Sequence, residues 1–60
     1  MGYHKCHIPD LDVLKIQFDK LGLKSFVEKY KKCEALIGDS ISIQFIESKI
    51  KLWYELQKRN

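Results

Sequence analysis

Residues 40–58 read SISIQFIESKIKLWYELQK, and the pattern of this stretch determines the predicted fold class. Its first residues alternate polar and apolar side chains as far as Ile46, which is typical of a strand. Over the whole stretch the polar residues fall on one stripe about 100° wide when each residue advances 100°. The stripe consists of Gln44, Glu47, Ser48, Lys51, Glu55 and Lys58. Because a strand cannot place these residues together, the pattern favours one long helix over 40–58, with a strand followed by a helix as the alternative.

Two shorter helices are predicted before this one, over residues 10–21 and 25–37. In each, apolar residues recur at steps of three and four, and a glycine, Gly22 or Gly38, stands where the helix would stop. Short loops make the three helices close neighbours. The sequence therefore predicts an all-α, compact three-helix domain over 10–60, preceded by a flexible N-terminal arm over 1–9. Its predicted core consists of Leu11, Leu14, Phe18, Leu21, Phe26, Tyr30, Cys33, Ile37, Phe45, Ile46, Ile50 and Trp53.

The composition is that of a small globular domain. The chain has 60 residues, 45% of them hydrophobic and 32% charged, with a net charge of +3. A chain of this length builds only a small core, which a partner subunit often enlarges. No apolar run approaches the roughly 18 residues of a membrane span, and no signal peptide is visible. With only two cysteines, the sequence predicts an intracellular protein, cytoplasmic or, in a eukaryote, nuclear.

The residues best suited to bind a metal or to act in catalysis are His4, Cys6, His7 and Cys33. These side chains are able to bind zinc or copper, but the first three lack the gap of about two to four residues that is typical of zinc ligands. Cys33 lies on the apolar stripe of the second predicted helix, where a thiol acts as a small hydrophobic group. No nucleophile–base pair and no glycine-rich phosphate loop is recognisable. The sequence predicts no metal, no cofactor, no small-molecule substrate and no enzymatic activity.

The third predicted helix carries an unusually wide apolar arc. The arc spans about 220°, whereas a surface helix usually shows a stripe of somewhat more than 100°. Such a helix is either the central core helix of a tiny domain, a self-association surface, or a docking face for another protein. We expect a small protein–protein interaction module, a regulator or adaptor that forms a homodimer or docks a partner protein. The predicted contact residues are Ile50, Leu52, Trp53, Tyr54 and Leu56.

A second function is suggested by lysines in the second predicted helix. Lys24, Lys29, Lys31 and Lys32 lie on the side opposite its apolar stripe, which is suitable for contacts with phosphates. The same pattern is also typical of an ordinary solvated helix face. Arg59 is the one arginine of the chain, whereas base-specific readout relies on arginine, asparagine and glutamine. The alternative prediction is therefore a small DNA- or RNA-binding regulator that contacts the nucleic-acid backbone.

One short segment resembles a known family. Residues 47–54, ESKIKLWY, resemble the third helix of homeodomains, where a Glu-x-x-Ile-Lys-x-Trp-Phe run precedes the residues that contact bases. Leu56 stands where that family has the asparagine that reads adenine. Because the sequence departs from the family at the base-reading position, the resemblance does not predict membership.

Overall fold

The computed structural model describes residues 4–59 of the chain. The elements follow in the order β1 (Lys5–His7), α1 (Leu11–Lys31), β2 (Ala35–Ile37) and α2 (Ser40–Lys58). The two strands pair with each other, and the two helices pack together. The prediction of an all-α, three-helix domain is therefore wrong, because the described chain contains two helices and a small sheet.

Residues predicted as the first two helices form a single kinked helix, α1. Gly22 interrupts its helical backbone with a φ of 84° and a ψ of 168°. Glycine adopts a positive φ at little cost because it has no Cβ atom. The chain therefore changes direction at this one residue, and the helix continues after it. The expected break at Gly22 thus occurs, but as a kink inside α1. The helix then ends at Lys31, six residues before the predicted end at Ile37.

The last residues of the second predicted helix form β2 instead. Lys5, Cys6 and His7 of β1 pair in parallel with Ala35, Leu36 and Ile37 of β2, and α1 is the crossover connection. Hydrogen bonds extend the pairing at both ends: the Ile8 N–H donates to the Ile37 carbonyl at 2.8 Å, and the Glu34 N–H donates to the His4 carbonyl at 2.9 Å. Residues 5–7 of the predicted flexible arm are therefore a strand, while residues 1–3 of that arm lie outside the described residues.

A disulfide joins the two segments that flank α1. Cys6 of β1 is bonded to Cys33, just before β2, with a Cα–Cα distance of 5.8 Å. The interpretation of Cys33 as a core thiol is therefore wrong, although this residue does pack against the core cluster. The bond and the strand pairing hold residues 33–37 beside β1, so these residues cannot continue the helix. This tertiary constraint outweighs the helical spacing of their side chains.

The helix α2 confirms the prediction of one long helix over residues 40–58. Asp39 precedes it with an extended backbone, and its carbonyl accepts the first helical hydrogen bond from the Ile43 N–H at 3.0 Å. The strand alternative for the beginning of this stretch is excluded by the helical assignment from Ser40 onward.

The core lies between α1 and α2. Its buried residues are Leu14, Phe26, Val27, Tyr30 and Ile46, with Ser42 as the buried polar residue. The ring of Phe26 lies 5.4 Å from that of Phe18 and 5.9 Å from that of Phe45, both in edge-on geometry. Two predicted core residues, Leu21 and Ile37, are exposed, at 43% and 41%. Within residues 4–59, neither helix is apolar enough over a sufficient length to span a membrane.

Candidate functional site: the C-terminal face of α2

The two halves of α2 differ in how much of their surface is covered. Ser42 and Ile46, in the first half, are fully buried. Beyond Ile46, no residue of the described part of the chain, which ends at residue 59, is fully buried. The second half of α2 is therefore less completely covered than the first half.

We refer to Ile50, Leu52, Trp53, Tyr54 and Leu56 as the C-terminal face. Leu52 and Leu56 are each 42% exposed and Tyr54 is 50% exposed, whereas Ile50 and Trp53 are half-buried. At about 100° per residue, both leucines lie on one side of Trp53, and Tyr54 lies on the other side. The middle of the apolar arc is therefore partly covered, and both of its flanks face solvent. Ile50 belongs partly to the interior, since it packs against the core cluster.

A row of alternating charges borders the C-terminal face on the Tyr54 side. It consists, in order along α2, of Glu47, Lys51, Glu55 and Lys58, all of them exposed. These residues fall within about 80° of one another around the helix, next to Tyr54. Charged residues next to exposed apolar residues are the usual arrangement at the rim of a protein interface.

The structure exposes further apolar residues that the sequence analysis did not include in a site. Ile41 of α2 is 59% exposed and lies on the same side of that helix as Leu52. On α1, Val13 is 42% and Ile16 is 57% exposed. The helical spacing of Ile41 and Leu52, eleven residues apart, was a visible signal for this additional surface.

Lys49 of α2 lies over two rings of the aromatic cluster. Its Nζ atom lies 4.8 Å from the centre of the Phe18 ring and 5.0 Å from the centre of the Phe45 ring. In this position the ammonium group interacts favourably with the faces of both rings. The side chain of Lys49 therefore covers part of the aromatic cluster.

The four lysines of the alternative site are all exposed. Lys24, Lys29 and Lys31 lie on α1 after the kink at Gly22, and Lys32 follows the end of that helix. The Nζ atom of Lys29 lies 5.8 Å from the centre of the Tyr30 ring. Within residues 4–59, no carboxylate forms a salt bridge with any of these four lysines.

The four residues considered as metal ligands, His4, Cys6, His7 and Cys33, do not form a metal site in the structure. Cys6 and Cys33 are bonded to each other as a disulfide. Their sulfur atoms are therefore not thiolates, the form of cysteine that binds metals. His4, just before β1, and His7, the last residue of β1, are both exposed. In the part of the chain that the structure describes, no three histidine, cysteine or acidic side chains are grouped as metal ligands.

Comparisons with protein-family models, with curated proteins and with solved structures find no match to this chain.

Proposed function

We propose that this chain is a protein–protein interaction module, a small regulator or adaptor rather than an enzyme, that self-associates through the C-terminal face of α2. The exposure of both flanks of that face supports this function. Exposed apolar surface bordered by polar residues is typical of interaction sites, and tryptophan and tyrosine are frequent anchors in them. A second copy of the chain, packed on the side that carries Tyr54, would bury Tyr54 together with the charged row beside it, whereas Leu52 and Leu56 lie on the other flank.

The exposed part of the C-terminal face supports an interface of modest size. Leu52 and Leu56 are each 42% exposed and Tyr54 is 50% exposed, whereas Ile50 and Trp53 are already half-buried. Three partly exposed side chains provide less surface than the roughly 800 Å² that each partner buries in a standard stable interface. We therefore expect a weak homodimer, with a Kd in the micromolar range.

The charges beside the C-terminal face favour an antiparallel arrangement of two copies. Along α2 the signs alternate from Glu47 to Lys58 as negative, positive, negative and positive. A twofold axis perpendicular to the two helices makes them antiparallel and reverses this order in the second copy. Glu47 then faces Lys58 of the second copy, and Lys51 faces its Glu55. An antiparallel pair thus matches opposite charges along its rim, which sets the orientation of the two helices.

Sedimentation equilibrium of the full chain tests self-association. We expect a monomer–dimer equilibrium in the micromolar range, shifted to monomer by Tyr54→Ser more than by Leu52→Ser, because Leu52 lies on the flank away from the charged row. Ile16→Ser is the matched control, because Ile16 is 57% exposed on α1, outside the C-terminal face. A wild-type chain that stays monomeric at about 100 µM contradicts the homodimer and leaves a different protein as the occupant.

Charge exchange tests the antiparallel orientation. Lys51→Glu places two negative charges opposite each other and is expected to weaken the dimer about three- to tenfold. The double variant Lys51→Glu/Glu55→Lys restores opposite charges between the copies, and it keeps the pairing of these two residues along α2 itself. If the double variant dimerises no better than the single variant, the helices do not pair in this orientation.

A second candidate function, binding of DNA or RNA, is supported by the exposure of the four lysines and by the absence of carboxylates bound to them within residues 4–59. Titration with duplex DNA and with RNA at several salt concentrations tests it. Affinity should fall steeply with salt, and Lys31→Gln/Lys32→Gln should reduce the slope by about two phosphate contacts. Lys58→Gln, on α2, is the control. An affinity independent of salt rules this function out.

We further propose an intracellular location, as the sequence predicts. The disulfide bears on this proposal, because disulfides in cytosolic proteins are usually transient and redox-sensing. An intracellular chain would therefore hold Cys6 and Cys33 as a disulfide only under oxidising conditions.

A further inference from the structure

The disulfide attaches β1 covalently to the segment that precedes β2. The strand has three residues, of which Lys5 and His7 are exposed and Cys6 is half-buried. Its noncovalent attachments include the pairing with β2, the flanking backbone hydrogen bonds and the packing of Ile8 against the core. A two-stranded sheet of this length has little stability of its own. The bond between Cys6 and Cys33 therefore keeps this strand in place.

The aromatic part of the core is formed by the two helices alone. Phe18 and Phe26 of α1 contact Phe45 of α2 through edge-on ring contacts. Leu14 and Ile46, both fully buried, belong to the same core cluster. None of these residues lies in β1 or β2, although Ile8, Cys33 and Leu36 pack against the cluster from outside it. The sheet and the aromatic part of the core can thus differ in local stability.

Both cysteines are accessible enough for thiol–disulfide exchange. Cys6 and Cys33 are each half-buried, and the bond lies beside exposed residues of β1 and of the turn before β2. A disulfide that is partly open to solvent can be attacked by an external thiolate without unfolding of the core.

We propose that the Cys6–Cys33 disulfide is a redox switch, opened by a dithiol reductant, that releases β1 from β2 while the α1–α2 core persists. A thiolate of the dithiol attacks one sulfur, forming a mixed disulfide and expelling the other cysteine as a thiolate, which takes up a proton. The second thiol of the dithiol then displaces the remaining cysteine. Two electrons pass from the dithiol to the protein, giving two cysteine thiols and one oxidised dithiol.

Hydrogen exchange on the full chain, oxidised and then treated with dithiothreitol in native buffer, tests the switch. On reduction, the amides of Ile8 and Glu34 should exchange at least about tenfold faster, because their hydrogen bonds link β1 to the segment containing β2. The amides of Phe45 and Ile46 should change less than about threefold. Mass spectrometry after alkylation should show both cysteines reduced without denaturant.

Three outcomes overturn the proposal. The first is a bond that resists dithiothreitol until denaturant is added. The second is continued protection of the Ile8 and Glu34 amides after reduction, and the third is loss of protection in α2 together with β1. The Cys6→Ser/Cys33→Ser variant serves as the control: it should match the reduced chain and give no response to dithiothreitol. If this variant is unfolded, the disulfide is a structural crosslink of the whole fold and the switch is refuted.

Discussion

The two halves of α2 are similarly apolar, yet only the first half contains fully buried residues. Ile46 lies in a cluster with Leu14, Phe26 and Tyr30 of α1. Leu52 and Leu56, one and a half to three turns later, are each 42% exposed. The difference shows that an apolar residue becomes core only where a neighbouring element lies beside it. We call the first half, with the buried Ser42 and Ile46, the covered half, because it contributes to the core. The second half, with the exposed Leu52, Tyr54 and Leu56, has apolar surface that a partner could contact.

The largest expected change in the free energy of unfolding distinguishes the two halves of α2. Ile46→Ala removes buried methyl groups from the core and is expected to lower the free energy of unfolding by about 2–5 kcal/mol. Leu52→Ala removes partly exposed surface and should cost about 0.5 kcal/mol or less. Urea unfolding at a concentration low enough to keep the chain monomeric measures both. Equal losses would mean that the second half of α2 is as well covered as the first.

The next effect concerns Gly38, which connects β2 to the covered half of α2. A Cβ atom at this position would lie 3.0 Å from the Ile8 Cβ and 3.2 Å from the Ile8 carbonyl oxygen. Gly38→Ala should therefore cost about 1–3 kcal/mol, since neither atom can move without shifting the backbone. We expect it to lower the protection of the Ile8 amide in hydrogen exchange.

Gly22→Ala is the matched control for that experiment. A Cβ atom there meets nothing within 4 Å, although the φ of 84° strains any other residue. This variant is expected to lose stability and to leave the exchange of the Ile8 amide unchanged relative to its other amides. Loss of Ile8 protection in both variants would show that the effect is global rather than local to Gly38.

A smaller effect should come from Tyr30, on the α1 side of the covered half. Its hydroxyl donates a hydrogen bond of 2.6 Å to Gln17 Oε1, and burial raises the pKa of Tyr30 above its usual value of 10.0. Tyr30→Phe should cost about 0.5–1.5 kcal/mol at neutral pH. Because the folded state holds the phenol proton more tightly, this contribution is present below pH 10 and is lost as the pH rises through the folded pKa.

Comparison of the two chains by urea unfolding at neutral pH and above pH 10 isolates this contribution. The stability of the wild-type chain should fall toward that of Tyr30→Phe as the pH rises, whereas ionisation of the lysines affects both chains equally. A difference between the chains that stays constant across this range would contradict a raised pKa at Tyr30.

The smallest effect is expected at Ser42, the buried polar residue of the covered half. Its hydroxyl oxygen has no hydrogen-bond partner among residues 4–59. Ser42→Ala removes an unsatisfied polar group and should leave stability unchanged or raise it by up to about 1 kcal/mol. Thermal unfolding measures the change. A loss of more than about 1 kcal/mol would show that the hydroxyl is hydrogen-bonded in solution.

Local patterns predicted much of the helical structure and part of the core. The limits of α2 follow from its polar stripe, and Gly22 breaks the helical backbone where its sequence position suggested. Val27, fully buried, was missed because the predicted stripe of the second helix ran from Phe26 through Tyr30 toward Cys33 and Ile37. The helix ends at Lys31, so the buried side of its last turns is set by packing against α2 and not by the residues beyond that end.

The sequence predicted which residues belong to the candidate site, but it did not predict which of them are exposed. The wide apolar arc indicated the C-terminal face, whereas only the packing of α1 against α2 shows that Ile50 and Trp53 are half-buried while Tyr54 is exposed. The sheet was not predicted at all. Each strand has only three residues, which is too short for a pattern of alternation to identify.

The sequence alone determined the features that depend on neighbouring residues: the span of α2, the interruption at Gly22, and the charge order from Glu47 to Lys58. Tertiary structure decided the pairing of β1 with β2, the bond between Cys6 and Cys33, and the flanks of α2 that remain uncovered. The reason is physical. Helical hydrogen bonds join residues four apart, so a helix can be recognised from a short stretch of sequence. A strand or a buried surface needs a partner from a distant part of the chain.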